Sequence, residues 1–180
     1  MTTANKITVI RILLVPVFIY FAANFDKQYY DIITTAVFLI ISFTDFLDGY
    51  IARKYNQITD FGKFLDPLAD KILVSSALIM LTDMGRLWGV WTVIIIAREF
   101  TVTSIRLLAA GSGKVIAASK SGKIKTVSQM IGITVLFLEK YMDMLYPFPY
   151  GTVVTVIMVA ATVYSGVEYL VKNIGLIETK

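Results

Sequence analysis

The strongest constraint on the fold is a series of six apolar stretches, at residues 8–24, 31–52, 67–82, 87–109, 126–145 and 150–171. Most approach the ~20 residues that an α-helix needs to cross the hydrocarbon core of a bilayer; the first and third are shorter and would tilt little. Hydrophobic residues make up 57% of the chain, against roughly 45–50% in a soluble domain. Because the excess is gathered into runs, the chain reads as an all-α integral membrane protein. One domain over residues 1–180 is expected, with six transmembrane helices and a short N-terminal interfacial segment. Lys6 and Arg11 ahead of an apolar stretch ending near Ala22 and Ala23 have the layout of a signal peptide. Motif-like residues inside that stretch and five further spans behind it favour a retained first helix instead.

An even number of spans puts both termini on one side. The basic residues choose the side: 14 of the 17 Lys and Arg fall at the termini, between the second and third stretches, or around the connection from the fourth to the fifth. Only Lys27, Arg86 and Lys140 fall on the opposite side. The majority side is expected to be cytoplasmic, which places the chain in the cytoplasmic (inner) membrane as a multi-pass protein. Tyr146-Pro147-Phe148-Pro149-Tyr150 reads as an outer turn with aromatic interface anchors.

There is no Cys and no His. Disulfides, thiolate zinc sites and His-based acid–base catalysis are therefore excluded, and any metal must be held by oxygen. The net charge of +4 suits anionic headgroups or phosphorylated substrates, and the positive-inside bias accounts for much of it. Nucleic acid is not an expected partner.

Against this background four aspartates stand out, in Asp45-x2-Asp48-Gly49-x2-Ala52-Arg53-x8-Gly62-x3-Asp66-x3-Asp70. Carboxylates beside membrane spans are expensive and need a reason. On a helix, Asp45 and Asp48 share a face with the small residues Gly49 and Ala52, and Gly62, Asp66 and Asp70 form a second stripe. Pro67 leaves two readings of that stripe: Asp66 caps a helix starting at Pro67, or a longer helix from about residue 59 is kinked there. Four facing carboxylates would repel one another without counter-charge. Two divalent cations, Mg²⁺ or Mn²⁺, would supply it and form a clamp suited to in-line displacement at phosphorus, with one carboxylate left to take a proton. Spacing alone also allows ion-paired helix ends, Asp45 and Asp48 with Arg53 and Lys54, Asp66 and Asp70 with Lys63 and Lys71.

The pattern resembles the signature of the CDP-alcohol phosphotransferases. All eight signature residues are present, and with the six spans the resemblance covers nearly the whole chain. It implies a bundle of that family's type and transfer of a phosphatidyl-type group from a CDP-linked donor to an alcohol, releasing CMP. By the same resemblance Asp45, Asp48 and Asp66 hold metal, Asp70 both holds metal and acts as base, and Gly49, Ala52, Arg53 and Gly62 border the CDP moiety. The attack would be direct, with no covalent enzyme intermediate.

Other segments bear on the acceptor. Arg98 and Arg106 lie eight residues apart in the fourth stretch, about 80° around a helix and two turns along it. Lys123 and Lys125 sit at the edge of the fifth stretch, near the N–H groups of its helix. Cations converging on one pocket suit a phosphate on the acceptor. Alternatively, the lysines set topology or touch anionic lipid, and Arg98 pairs with Glu99. Arg98-Glu99-Phe100 and Gly122-Lys123-Ile124-Lys125-Thr126 resemble a branch of the family whose acceptor is glycerol 3-phosphate, with CDP-diacylglycerol as donor and phosphatidylglycerophosphate and CMP as products. Asn5, Thr8 and Arg11 resemble that branch's N-terminal element, which borders the cytidine diphosphate. The resemblance also implies a homodimer among membrane lipids. Competing readings are the same chemistry on inositol phosphate or serine, a divalent cation carrier, and a structural membrane subunit.

Overall fold

The computed structural model describes residues 3–27, 29–54, 60–111 and 119–173. They form six helices: α1 (Thr3–Ala23), α2 (Tyr30–Lys54), α3 (Asp60–Asp83), α4 (Gly89–Gly111), α5 (Lys120–Leu145) and α6 (Tyr150–Asn173). No strand occurs among the described residues. Each helix overlaps one of the six apolar stretches over most of its length, and three begin earlier than hydropathy alone marks. Residues 3–7 continue α1 rather than forming a separate element. α3 starts at Asp60 with Pro67 inside it, so Asp66 lies within the helix and does not cap it. The N–H that Pro67 lacks is a local cost, offset by burial of Ala69, Leu73, Ala77, Leu78 and Leu81 along the same helix. α5 starts at Lys120 because Ser119 caps it, its Oγ accepting from the Gly122 N–H at 3.0 Å.

The chain divides into two compact units, Met1–Gly85 and Arg86–Lys180. In the first, α1 packs against α2 and α3, and α2 touches α3. The buried stripe of α1 runs Thr8, Arg11, Val15, Phe18, Ala22, a helical period that carries two polar residues. Phe18 meets Phe38 of α2 with ring centroids 6.1 Å apart. Gly85, at φ 72, closes α3 in the left-handed conformation that favours glycine, its N–H donating to the Thr82 carbonyl at 3.0 Å.

In the second unit α6 packs against both α4 and α5. Gly132 lets α5 and α6 approach closely: a Cβ there would lie 3.2 Å from Met158 Sδ. Arg86, one of the three basic residues on the minority side, donates to the Phe137 carbonyl of α5 at 2.8 Å and so serves as a structural anchor. The radial pattern of α6 is inverted relative to a soluble helix. Thr162, Ser165 and Tyr169 are buried while Val156, Ile157, Val163, Val167 and Val171 are exposed. Helices that face hydrocarbon and gather their polar groups inward show this arrangement. α6 is long and apolar enough to cross a membrane, and Ile7–Ala23 and Tyr30–Thr44 form shorter apolar stretches. At the α5–α6 turn, Tyr146 donates its N–H to the Met142 carbonyl at 3.0 Å, and Phe148 and Tyr150 meet edge-on.

Candidate active site

The aspartate motif is divided between two helices of the first unit. Asp45, Asp48, Gly49, Ala52 and Arg53 lie in the last three turns of α2, and Gly62, Asp66 and Asp70 in the first three turns of α3. The helical register is unbroken through both segments, as the two-stripe reading requires. The side chains of Asn5, Asp45, Asp48, Ala52, Arg53 and Asp66, and the surroundings of Gly49 and Gly62, lie outside the described residues. Asp70 is described: its side chain is 41% exposed, and Oδ2 accepts from Lys71 Nζ at 2.9 Å. The helix-end pairing of Asp70 with Lys71 is therefore present, and the carboxylate remains accessible. An all-oxygen donor set on two touching helices fits hard divalent cations. No group of three or more metal-ligating side chains is found among the described residues, which include only one of the four aspartate side chains. Thr8 and Arg11, the expected donor-side residues of α1, are both fully buried in this unit.

The second unit holds a buried polar cluster. Glu99 of α4 is its centre, 3% exposed. It pairs with Lys125 of α5, itself 3% exposed, and accepts from Arg98 Nη1 at 3.3 Å. Arg98 Nη2 reaches across to Ser165 Oγ of α6 at 3.0 Å. Two turns along α4 from Arg98, the Arg106 guanidinium lies over the Tyr169 ring, 5.4 Å from its centroid. Two cations, Arg98 and Lys125, thus share one carboxylate among the described residues, and a third, Arg106, stands over Tyr169, so the described part of the cluster carries more positive than negative charge. Such a site favours an anion.

Arg98 and Lys125 meet at Glu99, and Arg106 lies over Tyr169; Lys123 is not part of this cluster. Two residues from Lys125 on α5, it lines an open apolar groove of about 470 Å³ with Ile124, Val127, Ile131, Val154 and Ile157. The early start of α5 sets the division, since residues two apart on a helix point to nearly opposite sides. It also puts Lys125 in the second turn of α5, past the N–H groups of its first turn. Ser165, Gln129 and Tyr169 belong to no motif and were not among the residues expected from the sequence. Their signal is spacing: Gln129 follows Lys125, and Tyr169 follows Ser165, at i, i+4.

Gly166 makes room for this cluster. A Cβ at residue 166 would lie 2.9 Å from Arg98 Cγ. Gly166→Ala is expected to push Arg98 away from Ser165 and Glu99 and to raise the KM for a phosphorylated acceptor by roughly 5–20-fold, with the KM for the donor lipid little changed. Steady-state kinetics in each substrate checks this.

The family model for CDP-alcohol phosphatidyltransferase matches residues 1–166, a span that includes the whole aspartate motif. The chain is 45% identical to a Bacillus subtilis protein named CDP-diacylglycerol–glycerol-3-phosphate 3-phosphatidyltransferase, covering 97% of this chain and 96% of that relative. It is 39% identical to a probable phosphatidylglycerophosphate synthase of Mycobacterium tuberculosis, over 94% of this chain and 80% of the relative. A Haemophilus influenzae protein with the same name as the Bacillus relative is 34% identical over 91% of this chain and 89% of its own length. With its signature aspartates spread over α2 and α3, the chain belongs to the CDP-alcohol phosphatidyltransferase family.

Proposed function

We propose that this protein transfers the phosphatidyl group of CDP-diacylglycerol to glycerol 3-phosphate, giving phosphatidylglycerophosphate and CMP. The observation that carries the choice of acceptor is the buried excess of positive charge around Glu99. Serine would give that excess no second phosphate to neutralise. A carrier would need carboxylates along a path through the membrane, whereas the motif aspartates are confined to the last turns of α2 and the first turns of α3.

The reaction is direct. The free primary hydroxyl of glycerol 3-phosphate attacks the phosphatidyl phosphorus in line with the departing CMP oxygen. One P–O bond forms as the other breaks, and the hydroxyl proton passes to Asp70. Asp45, Asp48, Asp66 and Asp70 would hold two divalent cations, Mg²⁺ or Mn²⁺, which when bound neutralise diphosphate charge. Asn5, Thr8, Arg11, Gly49, Ala52, Arg53 and Gly62 border the CDP moiety in this reading. Arg98, Arg106 and Lys125 hold the acceptor's phosphate, while Lys123 borders the lipid. The chain acts as one catalytic domain spanning the cytoplasmic membrane six times, with both termini and the active site on the cytoplasmic side, as a homodimer among membrane lipids.

The test is CMP release by the purified protein in detergent with CDP-diacylglycerol and Mg²⁺, compared across glycerol 3-phosphate, inositol phosphate, serine and no acceptor. Stimulation by glycerol 3-phosphate alone is expected. Stimulation by serine or inositol phosphate instead would overturn the acceptor assignment and leave the aspartate chemistry standing. No CMP under any condition from a folded protein would overturn both.

A further inference from the structure

The polar groups facing the interior of the second unit fall into two sets. In the first, each has a partner: Thr162 Oγ1 donates to the Met158 carbonyl at 2.7 Å, Ser165 Oγ to the Thr162 carbonyl at 3.1 Å, and Lys125 pairs with Glu99. The second set is Gln129 Nε2, Tyr169 Oη, Arg98 Nε and Arg106 Nε, all buried and all without a hydrogen-bond partner among the described residues. Gln129 is 2% exposed and Tyr169 4%. Gln129 lies one turn beyond Lys125 on the buried stripe of α5, and Tyr169 one turn beyond Ser165 on that of α6.

Leaving such groups unpaired inside an apolar bundle is costly, and Leu or Phe would fill the same space without the cost. All four atoms carry a hydrogen to donate. A set of unmet donors on the same three helices that carry Arg98, Arg106 and Lys125 matches a ligand rich in acceptor oxygens. Tyr169 has a second role, because its ring supports the Arg106 guanidinium from below.

We propose that Gln129 and Tyr169 are specificity-determining residues of the acceptor pocket, donating from Nε2 and Oη to the oxygens of a small phosphorylated polyol. This rests on the reading of the Arg98–Arg106–Lys125 cluster as that pocket. Cations alone attract any phosphate. Two neutral donors at fixed positions recognise the shape of the alcohol that carries it, and a site built around buried donors rejects ligands that leave them unmet.

The test uses Tyr169→Phe, which keeps the ring under Arg106, and Gln129→Leu, with Arg106→Ala as control, in the purified full-length protein. For each variant, the KM for glycerol 3-phosphate, the KM for CDP-diacylglycerol and the ligand-free unfolding midpoint are measured. Tyr169→Phe and Gln129→Leu are each expected to raise the acceptor KM by roughly tenfold or more while the donor KM stays within about twofold. The midpoint is expected to stay level or rise, because an unmet polar group has left the core. An unchanged acceptor KM with a lowered midpoint would assign both side chains a structural role and overturn the proposal. If Arg106→Ala raises the acceptor KM and the other two do not, the proposal fails and the acceptor pocket stands. If none of the three moves it, the pocket assignment fails as well.

Discussion

Asp70→Asn is expected to lower kcat by roughly 10²–10⁴-fold while CDP-diacylglycerol binding changes by no more than about threefold. The substitution keeps the shape of the side chain and removes its capacity to accept the proton of the attacking hydroxyl. Asp70 suits that task by position. It lies one turn beyond Asp66 on an unbroken α3, and its side chain is 41% exposed beside Lys71. A carboxylate sealed against substrate would serve only the fold. CMP release gives kcat, and equilibrium binding of the donor to the same preparation gives the second quantity. If donor binding collapses together with turnover, metal ligation is the dominant role of Asp70. If turnover persists above about a tenth of the original, Asp70 is not the base. Chelation of divalent cations is expected to stop turnover in the unsubstituted protein, with Mg²⁺ or Mn²⁺ restoring it.

The contrast between Asp70 and the Glu99 cluster shows which parts of the molecule are written locally in the chain. The six helices are legible because each contains an apolar run, and the aspartates because their spacing fits two helical stripes. Helix starts are less so. Asp60-Phe61-Gly62-Lys63 and Lys120-Ser121-Gly122-Lys123 are polar enough to pass for connections, yet both are first turns of helices. Ser119 shows what is needed to extend α5: a capping hydroxyl that meets the Gly122 N–H. Once α5 starts at Lys120, the separation of Lys123 from Lys125 follows from helical geometry alone. The role of Glu99 is a different matter. Its neighbour Arg98 is adjacent in sequence, but the pairing with Lys125 depends on how α4 and α5 each pack against α6, which no local pattern encodes. Gln129 and Tyr169 are harder still to read, since a single amide or phenol in an apolar run signals nothing until the fold buries it.

Glu99 is also where the largest loss of stability is expected. Glu99→Gln takes away the negative charge that Arg98 and Lys125 share, while both cations stay in the interior. Their side chains are 14% and 4% exposed, and that of Glu99 is 4% exposed. Breaking a buried pair by removing one member costs on the order of 3–5 kcal/mol, because the charge left behind has lost its compensation. Reversible unfolding in detergent, compared with the unsubstituted protein, measures it. The double variant Glu99→Gln with Lys125→Met separates fold from function. Removing one cation along with the carboxylate is expected to recover most of the lost stability, because Arg98 keeps its bond to Ser165 and the methionine fills the space of the lysine stem. Acceptor affinity is expected to fall in the double variant relative to the unsubstituted protein, since the fold has recovered but a cation of the proposed pocket has been removed. A Glu99→Gln protein as stable as the original would show that the cations do not depend on this carboxylate. A double variant that regained stability and kept the acceptor affinity of the unsubstituted protein would show that Lys125 serves the fold alone and that the acceptor's phosphate is held without it.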